Sequence, residues 1–142
     1  MVRVKLDIDI ESPYLLAREL FTIANHECQI RLSATKGVHL IIEGLTSSQA
    51  FSIRSRLDDP HRLHLDEERL RGNPHATINV LWDKKDGKES GVWLHWRTRS
   101  LAFWLLQDTG RTMRSCIINL HQVMVLHEFK EAVIAIADLS PF

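Results

Sequence analysis

The stretch VRVKLDIDIE, residues 2–11, alternates without a break. Val2, Val4, Leu6, Ile8 and Ile10 fall on one side, and Arg3, Lys5, Asp7, Asp9 and Glu11 on the other. A period of two sustained over this length predicts a strand with one buried face and one wet face. The apolar side then needs a cover from the next element. Ser12 offers an N-cap and Pro13 suits a first helical position, and in SPYLLARELFTIANHE, residues 12–27, Leu16, Ala17, Leu20, Phe21 and Ala24 recur at helical spacing.

The alternation returns in CQIRLS (28–33), breaks at ATKG (34–37) and resumes in VHLIIEG (38–44), so residues 28–43 read as a hairpin. TSSQAFSIRSRL (46–57) brings a cap cluster and then Ala50, Ile53 and Leu57 on one helical face, ended by Asp58, Asp59 and Pro60. ATINVLW (76–82) is strand-like. DKKDGKES (83–90) is a polar loop with an Asp86-Gly87 turn, and GVWLHW (91–96) returns as its partner strand. Residues 83–91 are the longest uncommitted stretch and the natural place for mobility.

In order, residues 1–83 run strand, helix, strand, strand, helix, strand. That order resembles the ferredoxin-like split β-α-β core, an antiparallel sheet with helices on one face. The expectation is a single α+β domain over residues 1–142, in which residues 84–142 add a hairpin strand and a C-terminal helical pair. The resemblance is topological and carries no function.

From Ser100 the period lengthens. SLAFWLLQDTG (100–110) and SCIINLHQVMVLHEFKEAVIAIADLSP (115–141) predict two helices, the last from near Met113 to just before Pro141. A helix of ~25 residues is ~37 Å long, enough to cross the whole body or to meet a second copy. Its apolar residues on nearly all sides predict deep docking or an oligomer seam. The competing reading makes EAVIAIADL (131–139) a strand, because Val133, Ile134 and Ile136 are β-branched.

Composition narrows the classes. At 142 residues and 44% hydrophobic, the chain can bury one core without staples. Lys+Arg and Asp+Glu are both 18, which removes the bulk electrostatic case for nucleic acid or an anionic membrane as the main partner. Cys28 and Cys116 sit among apolar residues and read as buried free thiols in a reducing compartment. With no signal-like start and no long apolar run, the expected location is cytoplasmic, without a membrane partner.

The chemically densest stretch is DDPHRLHLDEERLRG, residues 58–72. As a helix capped by Asp59 with Pro60 first, it lines up His61, His64 and Glu68 as candidate metal ligands, and places Asp66 between Arg62 and Arg69. Leu63 and Leu70 would anchor it inward. Zinc-binding helices space their histidines by four with a glutamate after the first, which HRLH does not do, so a solvated ion ladder is preferred. In the alternative, HRLHLD is a short edge strand and the ligand face disappears. Asp83 and Lys85 form a D-x-K pair after an apolar run, as in metal-dependent nucleases, with Asp66 or Asp59 as the upstream acid. The alternative function is therefore a nuclease-like enzyme using His61, His64, Asp66, Glu68, Asp83 and Lys85.

Trp82, Trp93, Trp96 and Trp104 carry the other signal. Alternation turns Trp82 and Trp96 inward with Ile78, Val80, Val92 and Leu94, and leaves Trp93 on the opposite face with His95 and Arg97. Trp93 with Arg97, Arg99, Arg111 and Arg114 makes a candidate nucleic-acid surface in which the ring stacks bases and the guanidinium groups hold phosphates. His121 and His127 lie on different faces of the last helix and read as satisfied polar residues within a packed segment. No nucleophile elbow, Gly-rich phosphate loop or Cys-x-x-Cys occurs. The reading is a small binding or scaffold protein, not an enzyme and without a cofactor, acting as a homo-oligomer through its C-terminal helix, with nucleic acid as the first ligand class.

Overall fold

A computed structural model describes residues 1–107 and 112–139, with side chains as far as Ile134. The elements run β1 (Val2–Ile8), α1 (Pro13–Phe21), β2 (Glu27–Leu32), β3 (Val38–Leu45), α2 (Ser47–Leu57), α3 (Pro60–Gly72), β4 (Lys84–Lys85), β5 (Lys88–Glu89), β6 (Leu94–Arg97), α4 (Thr98–Gln107) and α5 (Met113–Leu139). The class is α+β.

β3 lies between β1 and β2 and is antiparallel to both, so β1 and β2 are parallel across it, joined through α1. β6 adds antiparallel to the free side of β2, which gives the order β1-β3-β2-β6. The tight return from β2 to β3 needs Gly37. Its φ is +74°, and a Cβ there would stand 2.2 Å from the carbonyl oxygen of Ile8. The other edge of the sheet is closed by the α2–α3 junction: Asp7 N–H donates to Asp58 Oδ1 at 2.8 Å, and Asp59 N–H donates to the Asp7 carbonyl at 3.0 Å.

Val4, Leu6 and Ile8 are buried as their alternation requires, with Ile30, Leu40 and Ile42 beside them on the same face. Leu16, Ala17 and Leu20 of α1 and Leu101, Ala102 and Leu105 of α4 pack into that core, and Ile53 and Leu57 of α2 complete it. Cys28 is a free thiol, and both Cys28 and Cys116 are buried. Among the described residues no helix is long and apolar enough to cross a membrane.

Three elements depart from expectation. Residues 76–82 form no strand, because Asn79 sits at φ +56°, which no ladder accommodates, and its N–H is taken by Asp66 Oδ2 at 3.0 Å. The segment instead runs over the outer side, leaving Trp82 67%, Val80 38% and Val92 61% exposed where an inward position was expected. Only Leu94 and, in part, Trp96 of that set reach the core. The Asp86-Gly87 turn forms, with φ +53° and +76°, but the flanking β4–β5 ladder is two residues long, and GVWLHW pairs with β2 instead.

α3 is one continuous helix with the Asp59 cap on His61 N–H, which removes the edge-strand alternative. Its only buried residue is Asp66. Leu70 is exposed and Leu63 half-buried, so ions and not leucines anchor it.

α5 is helical to Leu139, so residues 131–139 are not a strand. Pro141, the expected stop, lies outside the described residues. Met113, Cys116, Ile117 and Leu120 are buried, but every side chain from residue 125 to residue 134 is exposed. The helix is thus docked at its start and bare beyond, not buried all round. His121 and His127 are exposed rather than packed, and His127 Nε2 pairs with Glu131 at 3.0 Å.

Candidate functional site

The pairing registers place outward side chains in rows across the sheet. One row is Asp7, His39 and Arg31, and the next is Lys5, Ile41, Gln29 and His95. Glu27 lies opposite Arg97 at the far end. The first row is covered; in the next, Ile41 is buried, Lys5 and Gln29 are half-buried and His95 is exposed, and the Glu27–Arg97 end is open. Arg31 and His39 are only 5% and 4% exposed, although both lie on the face that alternation marks as wet.

Arg31 organises the covered row. Its Nε–H donates to His39 Nδ1 at 3.0 Å, Nη1 to Asp83 Oδ1 at 2.9 Å and Nη2 to the Trp82 carbonyl at 3.4 Å. Its guanidinium carbon lies 4.3 Å from the Trp93 ring centroid. Because Nδ1 accepts, the neutral His39 ring carries its proton on Nε2, which faces Asp7 Oδ1 at 3.8 Å. Asp7 Oδ1 itself is buried without a hydrogen-bond partner. Burial, reinforced by the charges of Arg31 and Arg62 and opposed by Asp83, depresses the His39 pKa to about 4. Burial, then the charge of Asp9, raises Asp7 to about 6, with Arg62 opposing and Asp58 and Asp59 assisting.

These two shifts give opposite pH dependences. Ionised Asp7 costs stability above its folded value of about 6, and the cost disappears as pH falls to the unfolded value of 3.8. Neutral His39 contributes stability that is complete above its unfolded value of 6.5 and is lost as pH falls through about 4. Between pH 4 and 6 the slopes offset each other. Asp7→Asn is expected to stabilise the fold at pH 7 by about 1–3 kcal/mol and to leave the His39 slope alone, so the variant weakens from pH 6.5 to 4.5 where the parent stays flat. Urea unfolding at the two pH values measures this.

Beside this row lies an ionic network. Asp58, whose side chain is fully buried, takes Arg54 Nε at 2.9 Å and Arg62 Nη1 at 2.5 Å. Asp66 takes Arg54 Nη2 at 2.5 Å and Arg69 Nη1 at 3.2 Å. Burial pushes the Asp66 carboxyl up, but the hydrogen bonds from Arg54 and Asn79 and the charges of Arg54 and Arg62 carry it below the usual carboxylate range. Asp66 therefore sits between Arg54 and Arg69. Arg62 goes to Asp58 and Asn79 instead.

His61, His64 and Glu68 are exposed on α3, and Glu68 pairs with Arg71 at 2.5 Å. Among the described residues no group of three or more His, Cys, Asp or Glu is arranged to hold a metal ion. Asp83 pairs with Arg31, and Lys85 is exposed on β4. Trp93 is half-buried over Arg31. Arg97 and Arg99 lie at the Glu27 end of the sheet, where Arg97 donates to the Asn25 carbonyl at 3.1 Å. Arg114 is at the opposite end, donating to the carbonyls of Ser33 and Gly37 at 3.0 Å each. Six residues of β2 and its turn separate the two ends, about 20 Å at ~3.3 Å per residue. Arg111 lies outside the described residues.

The open end carries a shallow groove of about 310 Å³ lined by Glu27, Gln29, Glu43, His95 and Arg97. Its charge is mixed, which suits a polar contact better than a polyanion. Cys28 beneath it is no nucleophile. Burial, only partly offset by Arg97, raises its thiol to about 12.

Arg31 and His39 were missed in the sequence because a charged residue on a wet face reads as solvated. The signal was available in the hairpin: a turn centred near residue 35 sets Arg31 opposite His39. Comparison with protein-family models, curated proteins and solved structures finds no match to this chain.

Proposed function

We propose that this protein is a non-catalytic binding or scaffold protein that works as a homo-oligomer, joined through the distal half of α5. The supporting observation is the bare apolar surface of that helix: Val125 is 50%, Leu126 66%, Phe129 68%, Val133 49% and Ile134 53% exposed. Surface of this kind on a rod beyond the domain body marks an association site. A single helix of this length is marginal in water without a partner. The ferredoxin-like reading of the core belongs to the same proposal: β1, β3 and β2 supply its split β-α-β half, with β6 on the β2 edge as the added strand. The open, mixed-charge face of the sheet is then free for a ligand, and the separated arginines make nucleic acid a weaker candidate than the sequence suggested.

Measuring mass in solution for the full chain and for a chain ending at Met124 tests the reading. The cut leaves Met113, Cys116, Ile117 and Leu120 in the core, which a cut at Gly110 would remove. The expected result is an oligomer for the full chain and a folded monomer for the shortened one. An unchanged oligomeric state would refute the seam. Oligonucleotide titration at low salt provides the second arm, since a phosphate-binding surface shows affinity that falls steeply with salt.

A further inference from the structure

The covered row has a mechanical consequence. The β4–β5 hairpin contains two residue pairs, and Lys84, Lys85, Lys88 and Glu89 are all exposed, so it cannot hold itself in place. Its base is tied to the sheet on two sides. On one, Gly91 N–H donates to the Leu32 carbonyl at 2.9 Å. On the other, Arg31 holds the Trp82 carbonyl and the Asp83 carboxylate, while Ser90 N–H closes the loop on the Asp83 carbonyl at 2.7 Å. Arg31 is aimed by His39, whose Nδ1 accepts its Nε–H.

We propose that His39 is an acid-sensitive latch: the neutral ring aims Arg31 at residues 82–83 and keeps the hairpin on the sheet, and protonation at Nδ1 releases it. A protonated imidazole has N–H on both nitrogens, so a donor then faces the Arg31 Nε–H donor and the contact becomes repulsive. The groups facing His39 are Asp7 from β1, Arg31 from β2, Arg62 from α3, Asp83 from the loop, and the Trp93 ring with its centroid 6.4 Å away. Asp83 favours the proton, whereas Asp7, raised to about 6, is itself neutral in the acid range where His39 takes one. Arg31, Arg62 and burial oppose protonation, so the latch holds at neutral pH and opens in acid. Opening bares Arg31 and Trp93 and joins their row to the open part of the sheet face. This inference is independent of the α5 seam.

Amide hydrogen exchange of the full chain reads the latch directly. From pH 7 to pH 4, after correction for intrinsic rates, protection at Ser90 and across residues 84–89 is expected to fall about tenfold or more, while β1 and β3 amides keep theirs. In His39→Gln the amide oxygen can accept from Arg31 at every pH, so the pH dependence should vanish. In His39→Phe no acceptor exists, and the hairpin should exchange at pH 7 as fast as the parent does at pH 4. Parental protection of Ser90 in His39→Phe at pH 7 would overturn the latch even if acid unfolds the parent sheet, and so would a Gln variant that retains the parent's pH response.

Discussion

Arg54→Ala is expected to destabilise the fold by about 3–5 kcal/mol, because it takes one cation away from two buried carboxylates at once. Asp58 is left with Arg62 and the Asp7 N–H, and Asp66 with Arg69 and the Asn79 N–H. The side chains of Asp58 and Asp66 are 0% and 7% exposed, so water cannot replace the lost guanidinium without opening the α2–α3 junction. Since Asp58 and Asp59 also close the β1 edge, the damage should reach the sheet. Arg54→Lys restores charge but has no fork to span both acids, and should recover only part of the loss. The pH dependence has a definite sign. Asp66 titrates below its unfolded value in the fold, so its contribution is present above pH 3.8 and is lost as pH falls through the folded value. The gap between parent and Arg54→Ala should therefore narrow in acid. Urea midpoints at constant slope measure it, and a loss under 1 kcal/mol at pH 7 would show that the network is solvated after all.

How much of this was legible depends on whether a pattern is local. β1, α1, the β2–β3 hairpin, α2 and the start of α5 at Met113 follow from period, caps and turns within a dozen residues, and the structure reproduces them. The Thr46 capping box with Gln49 is a further local signal of this kind. What failed was pairing at a distance. ATINVLW has a strand's composition, yet Asp66 binds the Asn79 N–H and the ladder never forms. The end of GVWLHW has the same composition and enters β6, the chain being brought to β2 where Gly91 N–H donates to the Leu32 carbonyl at 2.9 Å. The charge ladder of α3 was visible, but Arg54, which completes it, belongs to another helix. An apolar residue declares its burial in the sequence. A buried ion does so only once its partner is in place.

The low amphipathicity of α5 also had two readings, deep docking and an oligomer seam, and in the structure the docking covers only the first half of the helix. Met113, Ile117, Leu120 and Met124 form one stripe against the domain, while Ile118, Gln122, Val125, Phe129 and Ala132 recur at alternating spacings of four and three about 130° away. That second stripe has heptad spacing, with Leu126 and Val133 flanking it and one polar position at Gln122, which is the pattern the proposed seam requires. Phe129 is its largest member. Two copies meeting along this stripe each bury a Phe129 ring, worth about 1.5–3 kcal/mol per ring. Phe129→Glu removes both rings and places two carboxylates in the seam, so the dissociation constant is expected to rise at least ~100-fold, or about 3 kcal/mol. The freed distal helix is too short to stand alone, so helicity should fall with dilution in step with mass. Lys130→Glu, one residue and ~100° around the helix, should leave both readings near the parent's. Sedimentation and circular dichroism across a dilution series separate the outcomes. A Phe129→Glu protein that keeps the parent's mass would place the contact elsewhere, and a parent that is monomeric yet fully helical at micromolar concentration would mean that the distal helix needs no partner.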